Sequence, residues 1–181
     1  MTNFKNQLED RFKDEKSIGI VVQDHDTGLT EEAFAREYPE KEFSGVSLLP
    51  NGEPFFICTN SALYAIYLLG EGDLYGFYSD ENPSATHSEI QSSDGHDFAL
   101  IRNRYIVDLW ISHFTGCEKQ VVYDLWDVND HAKIKEIYGD PTAWLKYEES
   151  REWVNYESMK STARPRMRVL PDVDSQNSPG F

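Results

Sequence analysis

A chain of 181 residues suits one domain with a sizeable core, and 39% hydrophobic with 13% aromatic residues exclude a disordered polypeptide. A net charge of −15 works against nucleic-acid phosphates and anionic membrane surfaces, because like charges repel before contacts form. The same charge suits a protein partner with a basic surface, and it equally suits plain solubility.

In chain order, the first 16 residues read as a polar helix with Phe4, Leu8 and Phe12 on one stripe. This opening is too polar for a cleavable signal peptide. With only two cysteines, Cys58 and Cys117, the expected setting is cytoplasmic, or secreted without a cleavable signal. "SIGIVVQ" reads as a strand and "DHDTG" as a turn. Thr30 then caps a short helix over "TEEAFAREY", which Pro39 closes. Residues 40–54 carry Gly45, Pro50, Gly52 and Pro54 and read mostly as loop. "FFICTNSALYAIYLLG" is the most hydrophobic stretch, with helical spacing through Ala62, Leu63, Ile66 and Leu69 and a stop at Gly70. "DLYGFYS" reads as a strand. Residues 79–95 are polar and rich in Ser and Asp, which predicts a solvated, mobile flap bordering the site.

"GHDFALIRNRYIVDLW", residues 95–110, reads as a hairpin, and "KQVVYDLWDV" as a further strand. "DHAKIKEIYG" and "PTAWLKYEESREWVNYESMK" read as helices, the second with Pro141 in its first turn. The composition changes at Ala163. The expected organisation is therefore one α+β domain over residues 1–162 and a flexible tail over 163–181. No apolar run of 18 residues occurs, so no transmembrane helix is expected.

Three residues carry candidate chemistry. Cys58 stands where an apolar run meets a helix, and Thr59, Asn60 and Ser61 are all N-cap types. The positive end of a helix favours the nucleophilic thiolate, and its free N–H groups can hold an oxyanion. A lone Cys beside Phe55, Phe56 and Ile57 is also what a small buried hydrophobe looks like. His96 opens a strand after Gly95, where an imidazole could reach across to a thiol, or could simply lie at the surface. Asp108, between Val107 and Leu109, is poor strand chemistry and is expensive to bury alone. A hydrogen bond to His96 would satisfy the carboxylate and orient the ring. That contact requires paired residue numbers in the hairpin to sum to an even value, through an odd-length loop or a bulge, and Asn103 tolerates the left-handed conformation such a loop needs.

The order Cys, His, Asp resembles the papain-like and transglutaminase-like superfamily of cysteine enzymes, and its compact bacterial effector and toxin members in particular. The likeness is carried by "ICTNSALYAIYLLG", "GHDFAL" and "YIVDLW", about residues 55–112. It implies a papain-like fold, with a central helix packed on an antiparallel sheet between flanking helices. It also implies a Cys58–His96–Asp108 triad that works through a thioacyl intermediate as a protein deamidase, protease or acyltransferase, without a cofactor. The implied substrate is a protein of a host or rival. The Trp or Tyr that often follows the family's Cys is missing here, and Gln23 and Asn51 are the candidates for its oxyanion-hole amide.

Other constellations are weaker. "HSE" at 87–89 lacks the P-C-x-x-C half of a zinc deaminase signature. "DHD" at 24–26 lies in a turn where Asp is an ordinary turn former, so no metal site is expected there. Trp110, Trp126, Trp144 and Trp153 read as core and helix-packing anchors. The competing functional class is a non-catalytic acidic binding module, such as an inhibitor or immunity protein for a basic toxin domain.

Overall fold

The computed structural model describes residues 3–14, 18–50 and 52–147. Its elements are α1 (Phe4–Phe12), β1 (Val21–Asp24), α2 (Glu31–Glu37), β2 (Gly45–Leu48), α3 (Cys58–Leu69), β3 (Asp73–Tyr78), α4 (Ser88–Gln91), β4 (Gly95–Ile101), β5 (Tyr105–Val107), a π-helical turn (Trp110–Phe114), β6 (Val122–Asp124), α5 (His131–Tyr138), a 3₁₀ turn (Pro141–Ala143) and β7 (Leu145–Lys146). The architecture is α+β. Strands β6-β5-β4-β3-β7 form one antiparallel sheet, and β1 with β2 forms a separate hairpin.

Alternation along the strands divides the core into two layers. Leu74, Ala99, Ile101 and Val107 face α3 and α1, where they bury Ala62, Leu63, Ile66, Leu8 and Phe12. Phe77, Phe98, Leu100 and Ile106 face the other way and pack against Ile90, Ile134, Ile137, Tyr138 and Trp144. Helix α3 ends as its sequence indicates, with Gly70 left-handed and its N–H returned to Ile66 and Tyr67.

Four local expectations need correction. Residues 40–54 hold a strand, β2, because Val46 and Ser47 pair with Gln23 and Val22. Residues 141–147, the start of the helix expected over 141–160, form a single 3₁₀ turn followed by strand β7, and the rest of that stretch lies outside the described residues. There Trp144 drops into the core and donates its indole N–H to Tyr138 O at 2.6 Å, while Leu145 and Lys146 add to the exposed edge of β3. Within the flap, Asn82, Ala85, His87 and Ile90 are buried and α4 forms. Asn82 ties to Tyr138 O and to Asp140 N, so the segment is pinned to the core at its buried residues, while Asp80, Glu81, Pro83, Thr86, Gln91 and Ser92 stay exposed. Finally, Trp126 is exposed and lies under the Arg104 guanidinium, outside the core. Residues 148–181, which include Trp153 and the expected tail, lie outside the described residues, as does Asn51.

Candidate active site

The hairpin of residues 95–108 sets the geometry. Ala99, Leu100 and Ile101 pair with Val107, Ile106 and Tyr105, an even register. The loop is the three residues 102–104, and both Arg102 (φ 53°) and Asn103 (φ 51°) are left-handed. The Arg102 guanidinium is held by Glu71 and lies over the Phe4 ring, which supports a conformation that an arginine adopts reluctantly. In this register His96 and Asp108 share the face turned away from α3, one diagonal step apart. Asp108 stands just beyond the end of β5, not inside a strand, and its Oδ1 accepts the Ile111 N–H at 3.1 Å at the start of the π-helical turn. π-helical turns are rare and concentrate at functional positions.

His96 Nε2 donates to Asp108 Oδ2 at 2.6 Å, and both residues are nearly inaccessible to solvent. A carboxylate can only accept here, so Nε2 carries a proton, and Nδ1 is the other ring nitrogen. Burial opposes the ring's charged form. The Asp108 charge and hydrogen bond outweigh it, with a further contribution from Cys58, and raise the His96 pKa from 6.5 to about 10. Nδ1 is buried and makes no aligned hydrogen bond. The Cys58 thiol is nonetheless close enough to act on the ring. Proximity without alignment is the usual condition of a catalytic pair before substrate arrives. Thus the sheet register joins His96 to Asp108, and the start of α3 brings Cys58 to the same ring.

Gly95 explains the Gly-His pair. A Cβ there would stand 2.3 Å from Phe77 O, so only glycine lets β4 open this close to β3. Gly76 is required for a similar reason, because its Cβ would meet Asp97 Oδ1 at 2.0 Å.

The approach to Cys58 is held at four successive carbonyls. Asn60 Nδ2 donates to Pro54 O, Ser61 Oγ to Phe55 O, Trp110 Nε1 to Phe56 O and Ser61 N to Ile57 O. Asn60 and Ser61, expected as caps, therefore serve as anchors. Thr59 also points inward and donates to Asp97 Oδ2. Ile57 is the N-cap residue and offers no side-chain acceptor, so the first N–H groups of α3 are left uncapped. Trp110 packs against the His96 ring at 5.1 Å between centroids and is followed by the half-exposed Phe114 and Phe56.

Two residues of this region escaped the sequence reading. Tyr138 donates to Asp108 Oδ2 at 2.9 Å, and Asp97 accepts from Thr59 and from Tyr147. The signals were present: a tyrosine ending the Ile134, Ile137 stripe needs a partner for its hydroxyl, and Asp97, next to His96 in a strand, must face the opposite layer. Gln23 lies in β1 with its side-chain oxygen over the Gly28 turn, and nothing brings it to Cys58. Asp24 is a turn former, accepting from Asp26 N, Thr27 N, Thr27 Oγ1 and Ser44 N. Among the described residues, no group of three His, Cys, Asp or Glu could hold a metal ion, and no helix is long and apolar enough to cross a membrane.

No family model, no curated protein and no solved structure matches this chain.

Proposed function

We propose that the chain is a papain-like, cysteine-dependent hydrolase or acyl-transfer enzyme acting on a protein substrate. The observation that carries this reading is the buried His96–Asp108 pair, with Cys58 near enough to act on the same ring. A non-catalytic module has no need of an imidazole fixed by a buried carboxylate within reach of a cysteine.

In this mechanism His96, charged at neutral pH by its raised pKa, already holds the proton given up by the thiol, and an imidazolium close to the sulfur favours the thiolate. Cys58 Sγ attacks an acyl carbon, and the uncapped N–H groups at the start of α3 stabilise the oxyanion. His96 then returns its proton to the leaving amine, and water or an amine releases the thioacyl group. Asp108 keeps the ring in its orientation and stabilises its charged form throughout. Exposed Phe56 and Ile57 immediately precede Cys58 and give the acyl donor an apolar surface to lie against. The triad serves proteolysis, deamidation and acyl transfer alike, and the acidic surface favours a donor protein with a basic face.

The test is thiol reactivity. Iodoacetamide at pH 6 should label the half-buried Cys58 faster than the exposed Cys117, and His96→Ala should abolish that advantage. Equal, slow labelling of both thiols in the native protein would refute the enzyme reading.

A further inference from the structure

We propose that Tyr138 is a positioning residue that limits how firmly Asp108 holds the proton of His96, which keeps the ring able to surrender it. The inference rests on the cysteine-enzyme reading of the site. Its geometric basis is that a single oxygen, Asp108 Oδ2, accepts from both His96 Nε2 at 2.6 Å and Tyr138 OH at 2.9 Å. Asp108 Oδ1 is occupied separately by the Ile111 N–H. Each donor on a carboxylate oxygen stabilises the anion and leaves it less basic toward the next donor. A phenol on Oδ2 therefore weakens the pull of that oxygen on the imidazole proton.

The placement of Tyr138 is over-determined. Its ring stacks near His96 (6.0 Å, 29°) and meets Phe98 and Tyr123 edge-on at 4.9 and 5.6 Å, so the hydroxyl cannot swing away without repacking three rings. The groups that face the His96 ring come from every neighbouring element: Asp108 beyond β5, Tyr138 from α5, Cys58 from α3, and apolar Phe77, Phe98 and Trp110. Tyr123 on β6 packs behind Tyr138, and Glu118 acts on Tyr138 from farther off. Burial, with the charge of Asp108, holds the Tyr138 hydroxyl far above its ordinary pKa, so it stays a donor at every working pH.

The chemical need is specific. His96 must give up its proton to a leaving group during turnover, and a buried ring paired with an undiluted carboxylate would hold that proton too well. Tyr138 shares the acceptor and moderates the hold while fixing the carboxylate in place.

The experiment is an NMR titration of the His96 ring in the full chain carrying Cys58→Ala, which removes the thiol from the titration. Tyr138→Phe should raise the midpoint of His96 by about half a pH unit to one unit, the equivalent of one hydrogen bond withdrawn from the carboxylate. Difluorotyrosine at position 138, a stronger donor of nearly the same shape, should lower it. An unchanged midpoint in both variants, or a fall with phenylalanine, overturns the proposal. Should Tyr138→Phe fail to fold, the difluorotyrosine shift decides the question alone. The enzyme reading fails on a different result: His96→Ala leaving the Cys58 labelling rate unchanged while Tyr138 is intact.

Discussion

Strand β4 contributes to two buried carboxylate sites on opposite faces, through His96 to that of Asp108 and through Asp97 itself, and they are built from nearly the same parts. On the face away from α3, Asp108 accepts from His96, Tyr138 and the Ile111 N–H. On the α3 face, Asp97 accepts from Thr59 and from Tyr147, the latter at 2.7 Å. Both carboxylates are satisfied by a tyrosine and one further side chain, as burial requires. The difference is that one partner is an imidazole with a second nitrogen to spare, and the other is a hydroxyl with nothing further to offer. Satisfying a buried carboxylate is structural work, and it becomes chemistry only where a partner can pass a proton on. The sites are also linked in sequence: Thr59 follows Cys58 as Asp97 follows His96, so the Asp97 site locks the helix start against the strand that carries the His96 ring.

The largest effect should come from breaking the reactive side. Asp108→Ala leaves His96 and Tyr138 buried without their acceptor and should lower stability by about 3–5 kcal/mol. Cys58 alkylation should slow by about a hundredfold or more as the ring loses its orientation. Denaturant unfolding and mass-spectrometric labelling measure the two consequences. A loss no greater than that of Asp97→Ala in both assays would mean that the two sites are equivalent.

Second is pH. His96 has a folded-state pKa raised from 6.5 to about 10, so its favourable interactions are complete below pH 6.5 and are lost as pH rises through about 10. Unfolding free energy should therefore decline across that window, by a few kcal/mol in order of magnitude. His96→Gln should flatten the slope, and Thr59→Val should keep it. Persistence of the full slope in His96→Gln would assign it to other groups.

Third, Asp97→Ala strands the Thr59 and Tyr147 hydroxyls and should lower stability by about 2–4 kcal/mol, with Cys58 labelling slowed about tenfold through a displaced helix start. The smallest effect belongs to Thr59→Val, which keeps the volume and removes one hydrogen bond: about 1–2 kcal/mol in stability and a few-fold in labelling rate. If Thr59→Val changed neither, Asp97 would have no hold on the position of Cys58.

Much of this arrangement was legible from the chain alone, wherever neighbouring residues decide the outcome. The Leu8, Phe12 stripe, the left-handed stop of α3 at Gly70, and the turn about Asn103 all follow from local periodicity and backbone conformation. The shared face of His96 and Asp108 was permitted but not dictated, since a two-residue turn would have given the opposite parity and only the observed three-residue loop settles it. Asp108 is an expensive residue to bury in a strand, and it lies instead at the strand end, bonded to the N–H of a π-helical turn.

Tertiary structure alone decided the rest, and the reason is distance along the chain. Tyr138 reaches Asp108 across 30 residues, and Tyr147 reaches Asp97 across 50. No local pattern announces which hydroxyl will meet which carboxylate. The polar flap is pinned to the core because Asn82 meets Tyr138 O and Asp140 N, partners that only folding delivers. The stretch after Pro141 has helix-forming residues but completes a sheet, since an unpaired edge of β3 and a core opening for Trp144 outweigh its intrinsic propensity. Sequence determined which residues needed partners: a buried carboxylate, a strand-opening histidine, a cysteine at a helix start. The fold chose the partners, because a hydrogen bond between remote residues depends on the packing of everything between them.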